Sequence, residues 1–138
     1  MALIVDTGPL FAAYDRSDNH YVRCRNLLQK TDEELLIPAP VIAEFDWMCG
    51  RRNVSKGPLI LLSDILAGAY TVVNLTVEDH ARCRELLERY ADADIGYVDA
   101  AVLTITERLK EPKLATLDQK HFRMLRPSHV ESLHLLPD

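Results

Sequence analysis

Ala2-Leu3-Ile4-Val5, followed at once by Asp6-Thr7-Gly8-Pro9, is the stretch that decides the fold. Four apolar residues in a row, two of them β-branched, are typical of a β-strand. The Thr7-Gly8-Pro9 turn then leads into a helix, and Pro9 suits the first helical position. This order indicates a β/α unit with an acidic residue at the end of its strand.

The rest of the chain repeats this alternation of short apolar runs and longer helical patterns. Further strands are predicted at residues 35–37, 70–75, 113–116 and 130–135. Helices are predicted at residues 18–30 with an Asp18 cap, 40–50, 58–67 with a Ser55 cap, 76–90 with a Thr76 capping box, and 97–109. Strands separated by helices pair in parallel through right-handed crossovers. The sequence therefore predicts an α/β protein built as a three-layer α/β/α sandwich.

The composition suits one domain that covers residues 1–138, since a second hydrophobic core would need a longer chain. Hydrophobic residues make up 48% and charged residues 27%, so we expect a folded chain. Lys and Arg number 16 against 21 Asp and Glu, which gives a net charge of −5. This balance argues against a broad electrostatic grip on nucleic acid, although a local basic rim is compatible with it.

The apolar runs and the cysteines indicate the cellular location of the protein. The runs fall far short of a bilayer-spanning segment, and residues 1–5 are too short and lack the basic flank of a signal peptide. The three cysteines are scattered and form no CxxC pair. We therefore expect small buried thiols in a reduced, cytoplasmic protein without membrane contact.

Four acidic residues fall where an α/β sheet gathers ligands. Asp6 ends the first strand and Asp118 follows the fourth, and open parallel sheets bind ligands beyond the carboxyl ends of their strands. Glu44 and Asp99 are predicted in the first turns of two helices, where the dipole favours a carboxylate. Each acid alone has a simpler interpretation, as a turn former, a helix cap or an exposed helical residue. Converging carboxylates repel one another unless a cation joins them, and hard oxygen donors suit Mg²⁺ or Mn²⁺.

Four short motifs carry these acids. They are Ile4-Val5-Asp6-Thr7, Pro38-Ala39-Pro40-Val41-Ile42-Ala43-Glu44, Gly96-Tyr97-Val98-Asp99-Ala100-Ala101, and Ala115-Thr116-Leu117-Asp118 followed by His121-Phe122. In this order they resemble the motifs of PIN-domain ribonucleases, and among these the VapC toxins of bacterial toxin–antitoxin pairs. Each motif is weak alone, but together they span almost the whole chain and agree with its length and β/α alternation.

The resemblance implies a five-stranded parallel sheet in the order 3-2-1-4-5, with strand one at the centre beside strand four. It implies a Mg²⁺- or Mn²⁺-dependent endoribonuclease with a VapB-type antitoxin as partner, a homodimer, and a single-stranded or looped RNA substrate. The residues it assigns as catalytic and metal-binding are Asp6, Glu44, Asp99 and Asp118, with Thr7 and Thr116 assisting through their hydroxyls. Gly8 departs from the family pattern, because a small polar residue often stands there.

Several residues outside the motifs are candidates for substrate or partner contact. Arg51 and Arg52 end the helix that carries the second motif and could touch phosphate, and His121 could contact RNA. Ordinary solvated charge is the alternative for the two arginines, and a half-exposed structural position is the alternative for His121. Trp47 could stack on a base, but its helical spacing with apolar neighbours favours a core or subunit position. The apolar stripe at 59–66 is a possible packing face for a partner, although such stripes more often face the core.

Other functions with acids at strand ends fit less well. A receiver-like phosphoacceptor needs an acidic pair after strand one, and a haloacid-dehalogenase-type phosphatase needs Asp-x-Asp, where Gly8 stands instead. No GxGxxG or GxxxxGK[ST] motif is present. Asp92 and Asp94 are expected to shape a turn. We therefore expect an endoribonuclease toxin, with a non-catalytic PIN-like binding or regulatory module as the alternative.

Overall fold

A five-stranded parallel sheet lies at the centre of the computed structural model, which describes residues 1–138. Its strands are β1 (Ala2–Val5), β2 (Glu34–Pro38), β3 (Thr71–Val73), β4 (Lys113–Ala115) and β5 (His134–Leu136). Their spatial order is β3-β2-β1-β4-β5, and every neighbouring pair is parallel. The predicted strand order, with β1 between β2 and β4, is confirmed.

Seven helices accompany the sheet. They are α1 (Thr7–Ala12), α2 (Tyr21–Lys30), α3 (Ala39–Arg51), α4 (Gly57–Leu66), α5 (Val77–Arg89), α6 (Tyr97–Arg108) and α7 (Gln119–Met124). Helix α1 packs against α2 and α3, α3 packs against α4 and α6, and α5 packs against α6. The three-layer α/β/α architecture is thus confirmed. None of the helices combines the length and the apolar character that crossing a bilayer requires.

The central strand β1 explains why the fold depends on residues 2–5. All four of its residues are buried, because β2 and β4 flank it and helices cover the sheet. Phe11 of α1 meets Phe45 of α3 edge to face, with ring centroids 6.1 Å apart, and both rings are fully buried. This contact fixes α1 and α3 against each other, and with them the side chains that these helices carry.

Two helix starts differ from the sequence prediction for reasons of local hydrogen bonding. Helix α1 begins at Thr7 because the Asp6 carboxylate accepts the Thr7 N–H, so Pro9 is the third helical residue and not the first. Asp18 does not cap α2, since its carboxylate accepts the N–H of His20 at 2.8 Å in the turn before that helix.

Other boundaries differ as well. Ser55 does not cap α4, which follows Lys56 without a side-chain cap. Residues 130–133 do not extend strand β5, and helix α7 is absent from the prediction. The Thr76 capping box of α5 is confirmed, because the Thr76 hydroxyl accepts the N–H of Asp79 and the Asp79 carboxylate accepts the N–H of Thr76.

The apolar stripe of α4 is largely outside the core. Leu61 is buried, whereas Leu59, Leu62 and Leu66 are exposed, with Leu66 at 88%. A core position is therefore wrong for most of this stripe. A row of exposed leucines on one helix is typical of a contact surface.

Candidate active site

Asp6 is the acid at the carboxyl edge of the central strand β1, where hydrogen bonds hold its backbone and both of its carboxylate oxygens. Its backbone N–H donates to the carbonyl of Ala115 at 2.9 Å, which extends the pairing of β1 with β4 by one residue. One carboxylate oxygen accepts the N–H of Thr7 at 2.8 Å, and the other accepts the hydroxyl of Thr116 at 2.8 Å. Asp6 is only 6% exposed. Neighbouring strands therefore hold its carboxylate at the carboxyl edge of the sheet.

Asp118 lies just beyond β4 at the same edge. Its backbone N–H donates to the hydroxyl of Thr116 at 3.1 Å, so that hydroxyl links Asp118 to Asp6. The Asp118 carboxylate contacts Nδ1 of His121 at 2.8 and 2.9 Å. This hydrogen bond and the negative charge of Asp118 raise the pKa of His121. His121 therefore lies beside the acid that it follows in the motif.

Two helices bring the remaining acids. Asp99 is in the first turn of α6, where its carboxylate accepts the N–H of Gly96 at 3.0 Å, as predicted from its place near a helix start. Glu44 is in the second turn of α3, which begins at Ala39, so the prediction of a first-turn position is wrong. Packing of α3 against α1 and α6, and not the helix dipole, places Glu44.

All four acids line one cleft of about 530 Å³ at the carboxyl edge of the sheet. Its full lining is Asp6, Thr7, Gly8, Glu44, Met48, Asp99, Leu117 and Asp118. Residues from β1, α3, α6 and the segment after β4 thus meet in one place, although they lie far apart along the chain. Only Met48 and Leu117 contribute large apolar side chains to the lining, so carboxylate oxygens dominate the cleft.

The cleft holds more negative charge than its surroundings compensate. Burial raises the pKa of Asp6 to about 7, against the hydrogen bonds from Thr116 and Thr7, and the charges of Asp99 and Glu44 raise it further. Burial also raises the pKa of Asp99, with a contribution from Asp118 and Glu44. An opposite charge would favour the ionised forms. A carboxylate cluster with raised pKa values in a cleft is typical of a functional site.

The donor set fits a hard divalent cation by its chemistry. No three His, Cys, Asp or Glu side chains are gathered closely enough to hold an ion as they stand. Four carboxylates nevertheless line the cleft, and the Thr7 hydroxyl beside them is buried without a hydrogen-bond partner. Oxygen donors of this kind suit Mg²⁺ and Mn²⁺. The half-buried Glu44, Asp99 and Asp118 keep some freedom to turn toward a cation, unlike Asp6.

Gly8 has a steric role that its sequence motif did not indicate. A Cβ atom at Gly8 would lie 3.2 Å from the Cβ of Leu117, another residue that lines the cleft. Any side chain at this position would require Leu117 to move by a few tenths of an ångström. The close approach of these two residues is thus consistent with a glycine here.

The two arginines that are candidates for RNA contact have different environments. Arg52 lies near Asp15 and Asp18, at 3.7 and 3.6 Å, and over the ring of Phe11, so it is held within the chain. Arg51 is exposed, and its guanidinium lies over the ring of Trp47, 5.0 Å from the ring centroid. Of the two arginines, Arg51 is therefore better placed to contact a ligand.

Replacing Thr116 with Val should lower activity about 10- to 100-fold, the range typical for groups that orient a metal ligand. The change removes the hydrogen bond that lowers the pKa of Asp6 and leaves the N–H of Asp118 without its acceptor. An activity that depends on the ionised Asp6 carboxylate should then show the acidic limb of its pH–rate profile at higher pH. The Thr116→Ser variant retains the hydroxyl and should keep the native profile. An unshifted profile for Thr116→Val would contradict this role.

Comparison with known proteins agrees with the fold and the motifs. The family model of the PIN domain matches residues 3–126. The chain therefore belongs to the PIN-domain family, and the resemblance seen in its four motifs is confirmed.

Its relatives include VapC proteins. The chain is 26% identical to Ribonuclease VapC26 of Mycobacterium tuberculosis over 125 residues, which cover 91% of this chain and 93% of the relative. The fold is similar to that of VapC20 of M. tuberculosis, described as a toxin that cleaves the sarcin-ricin loop, with a TM-score of 0.75, 17% identity, and coverage of 82% and 87% of the two chains. It is also similar to VapBC2 from Rickettsia felis bound to promoter DNA, with a TM-score of 0.72, 16% identity, and coverage of 99% and 100%.

Proposed function

We propose that this chain is a metal-dependent endoribonuclease that acts as the toxin of a VapBC-type toxin–antitoxin pair. The observation that carries the proposal is the meeting of Asp6, Glu44, Asp99 and Asp118 in one cleft at the carboxyl edge of the sheet. Membership of the PIN-domain family and similarity to Ribonuclease VapC26 over 91% of the chain support RNA as the substrate.

The four acids have different proposed roles in the site. Asp6, Asp99 and Asp118 would hold Mg²⁺ or Mn²⁺, and Glu44 would hold a second ion or orient the attacking water. A divalent cation held there would supply activation of water and neutralisation of the charge on the scissile phosphate. Thr116 keeps the Asp6 carboxylate oriented through its hydroxyl. The same donors serve one ion or two, so both forms of this chemistry are compatible with the cleft.

The proposed partners are an antitoxin, a second copy of the chain and an RNA substrate. A VapB-type antitoxin would lay a segment across the cleft, where an arginine could pair with the carboxylates. The exposed leucines of α4 support a homodimer. Three free, buried cysteines agree with a reduced cytoplasmic setting. Single-stranded or looped RNA is favoured as substrate, because its bases are accessible.

Removal of divalent cations should abolish RNA cleavage. Purified protein is incubated with total RNA in Mg²⁺, in Mn²⁺ and in excess chelator, and the products are separated by electrophoresis. We expect cleavage with either ion, none in chelator, and recovery when the ion is restored, because the uncompensated carboxylates cannot bind a phosphodiester alone.

Loss of an acid outside the cleft should leave this metal-dependent cleavage unchanged. Asp92 is exposed and does not line the cleft, so Asp92→Asn should cleave like the native protein. Cleavage that persists in chelator would contradict metal dependence. RNA binding without cleavage under every condition would favour the non-catalytic module instead.

A further inference from the structure

Helix α3 carries a carboxylate, an indole and a guanidinium on one face. Glu44, Trp47 and Arg51 are spaced by three and four residues, so they follow one another along the same side of the helix. Glu44 lines the acidic cleft, and Arg51 lies over the Trp47 ring. Trp47 is 60% exposed, so a core position is wrong, whereas the subunit contact that was expected as its alternative stays a prediction.

A second exposed aromatic residue stands across from this face. Tyr97 is the first residue of α6, two positions before Asp99, and is 44% exposed. Its hydroxyl is 2.9 Å from Nε2 of His80, and the two rings lie nearly parallel, 5.8 Å apart with an interplanar angle of 11°. The second nitrogen of His80 contacts the carbonyl of Thr76 at 3.0 Å. The ring of Tyr97 is therefore held in a fixed orientation while much of it stays open to solvent.

The two aromatic residues line one cavity of about 580 Å³, together with Pro40, Ala43, Glu44 and Val98. Glu44 lines both this cavity and the acidic cleft, so the two spaces adjoin at that side chain. A molecule that reaches the carboxylates can thus extend along α3 without leaving the surface.

We propose that Trp47 and Tyr97 form a base-stacking subsite for an unpaired nucleobase of single-stranded RNA, next to the cleavage site, with Arg51 contacting the adjoining phosphate. This inference rests on the proposed ribonuclease function. Aromatic rings stack on any base, and such stacks are a common source of affinity for single-stranded nucleic acid. We name these three residues the α3 subsite.

The charge of the protein explains why such a subsite is needed. The net charge is −5, and the acidic cleft repels phosphate, so electrostatic attraction alone cannot hold the RNA. Stacking supplies affinity that does not depend on net charge. Arg51 adds the one local cation of the subsite, whereas Arg52 is paired with Asp15 and Asp18.

Trp47 is the only tryptophan of the chain, so its fluorescence reports directly on the subsite. The native protein is titrated in chelator, which keeps the RNA intact, with a single-stranded oligoribonucleotide. A second series uses RNAs of the same length that carry one abasic residue at successive positions. We expect quenching with the complete RNA, and about tenfold weaker binding with less quenching when the abasic residue falls at one particular position.

Variants connect that position to the ring. Their binding is measured by the fluorescence anisotropy of an end-labelled RNA, because Trp47→Ala and Trp47→Phe remove the only tryptophan of the chain. Trp47→Ala should weaken binding of the complete RNA about tenfold and should show no further loss with the critical abasic RNA. Trp47→Phe and Tyr97→Phe keep a ring and should bind more tightly than the corresponding alanine variants. Val22→Ala removes a side chain that is 65% exposed and lies outside the cavity, so it serves as the control and should bind like the native protein.

Two results would overturn the α3 subsite. One is metal-dependent cleavage by the native protein together with unchanged binding of both RNAs by Trp47→Ala, which leaves the ribonuclease function intact. The other is a change in oligomeric state on Trp47→Ala, measured by sedimentation, with no change in RNA affinity, which would assign the cavity to a protein contact. Failure of the native protein to cleave any RNA would instead contradict the proposed function itself.

Discussion

The Asp6→Asn variant is expected to cleave RNA about 100- to 1,000-fold more slowly than the native protein while keeping its fold. Asp6 is the least exposed of the four acids, and hydrogen bonds from Thr7 and Thr116 fix both of its oxygens. Asp6 is also the only acid of the cleft that is paired into the edge of the sheet, through its N–H bond to the carbonyl of Ala115. The neutral amide occupies the same volume but brings no negative charge to a cation.

The matched control for this prediction is Asp32→Asn, which neutralises an exposed acid outside the cleft. Initial rates are measured in saturating Mg²⁺, and far-ultraviolet circular dichroism verifies that both variants are folded. A rate for Asp6→Asn within threefold of the control would contradict the assignment of Asp6 as a metal ligand.

The same substitution should stabilise the metal-free protein at neutral and alkaline pH. The pKa of Asp6 rises from 3.8 to about 7 on folding, mainly through burial. Between these values the folded state binds a proton that the unfolded state has lost, so the free energy of unfolding falls as pH rises from about 4 to 7. Asparagine lacks this titration. At pH 8 we expect Asp6→Asn to be more stable by on the order of 2–4 kcal/mol, with the difference vanishing near pH 4.

Urea denaturation of both proteins in chelator, at intervals between pH 4 and pH 8, measures this difference. The raised pKa of Asp99 gives a trend of the same sign, but its main cause is burial, which is present in both proteins. Only the repulsion between Asp99 and Asp6 is lost in the variant. Saturating Mg²⁺ should narrow the gap at pH 8, because a bound cation stabilises the ionised carboxylate. Equal stability of the two proteins at pH 8 in chelator would show that Asp6 is not the destabilising charge.

Much of the fold could be predicted because its determinants are local. The four apolar residues of β1 are all buried, as expected for a central strand. The Thr76 capping box marks the start of α5 within the sequence itself. Asp6 follows β1 directly, whereas Asp118 lies three residues beyond the end of β4 and not directly after it as expected. Their meeting at one edge still required only the strand order. That order came from the family resemblance and not from periodicity.

The remaining features depend on contacts that a sequence pattern does not contain. Helix α7 has six residues and only Phe122 is buried, so it shows no apolar periodicity. Arg52 was a candidate for RNA because nothing in the sequence indicates that Asp15 and Asp18 approach it. Trp47 shares a helix with the buried Phe45, but two residues along a helix turn a side chain to a different face.

The aromatic cavity could have been found in part from the sequence. The spacing of Glu44, Trp47 and Arg51 on one helix is visible there, and it connects an acidic motif with a stacking residue. The contribution of Tyr97 could not be seen in the same way, because it depends on α3 and α6 lying side by side. The exposure of the α4 leucines could not be predicted either, because an apolar helical pattern alone does not distinguish a core helix from a surface helix.

The most direct test of this account is to locate Mn²⁺ in crystals of the native protein by its anomalous scattering. The account predicts an anomalous peak inside the cleft, in contact with Asp6 and with at least two of Glu44, Asp99 and Asp118, and loss of that peak in the Asp6→Asn variant. An empty cleft at a Mn²⁺ concentration that supports RNA cleavage, or a peak found only elsewhere on the molecule, would contradict it.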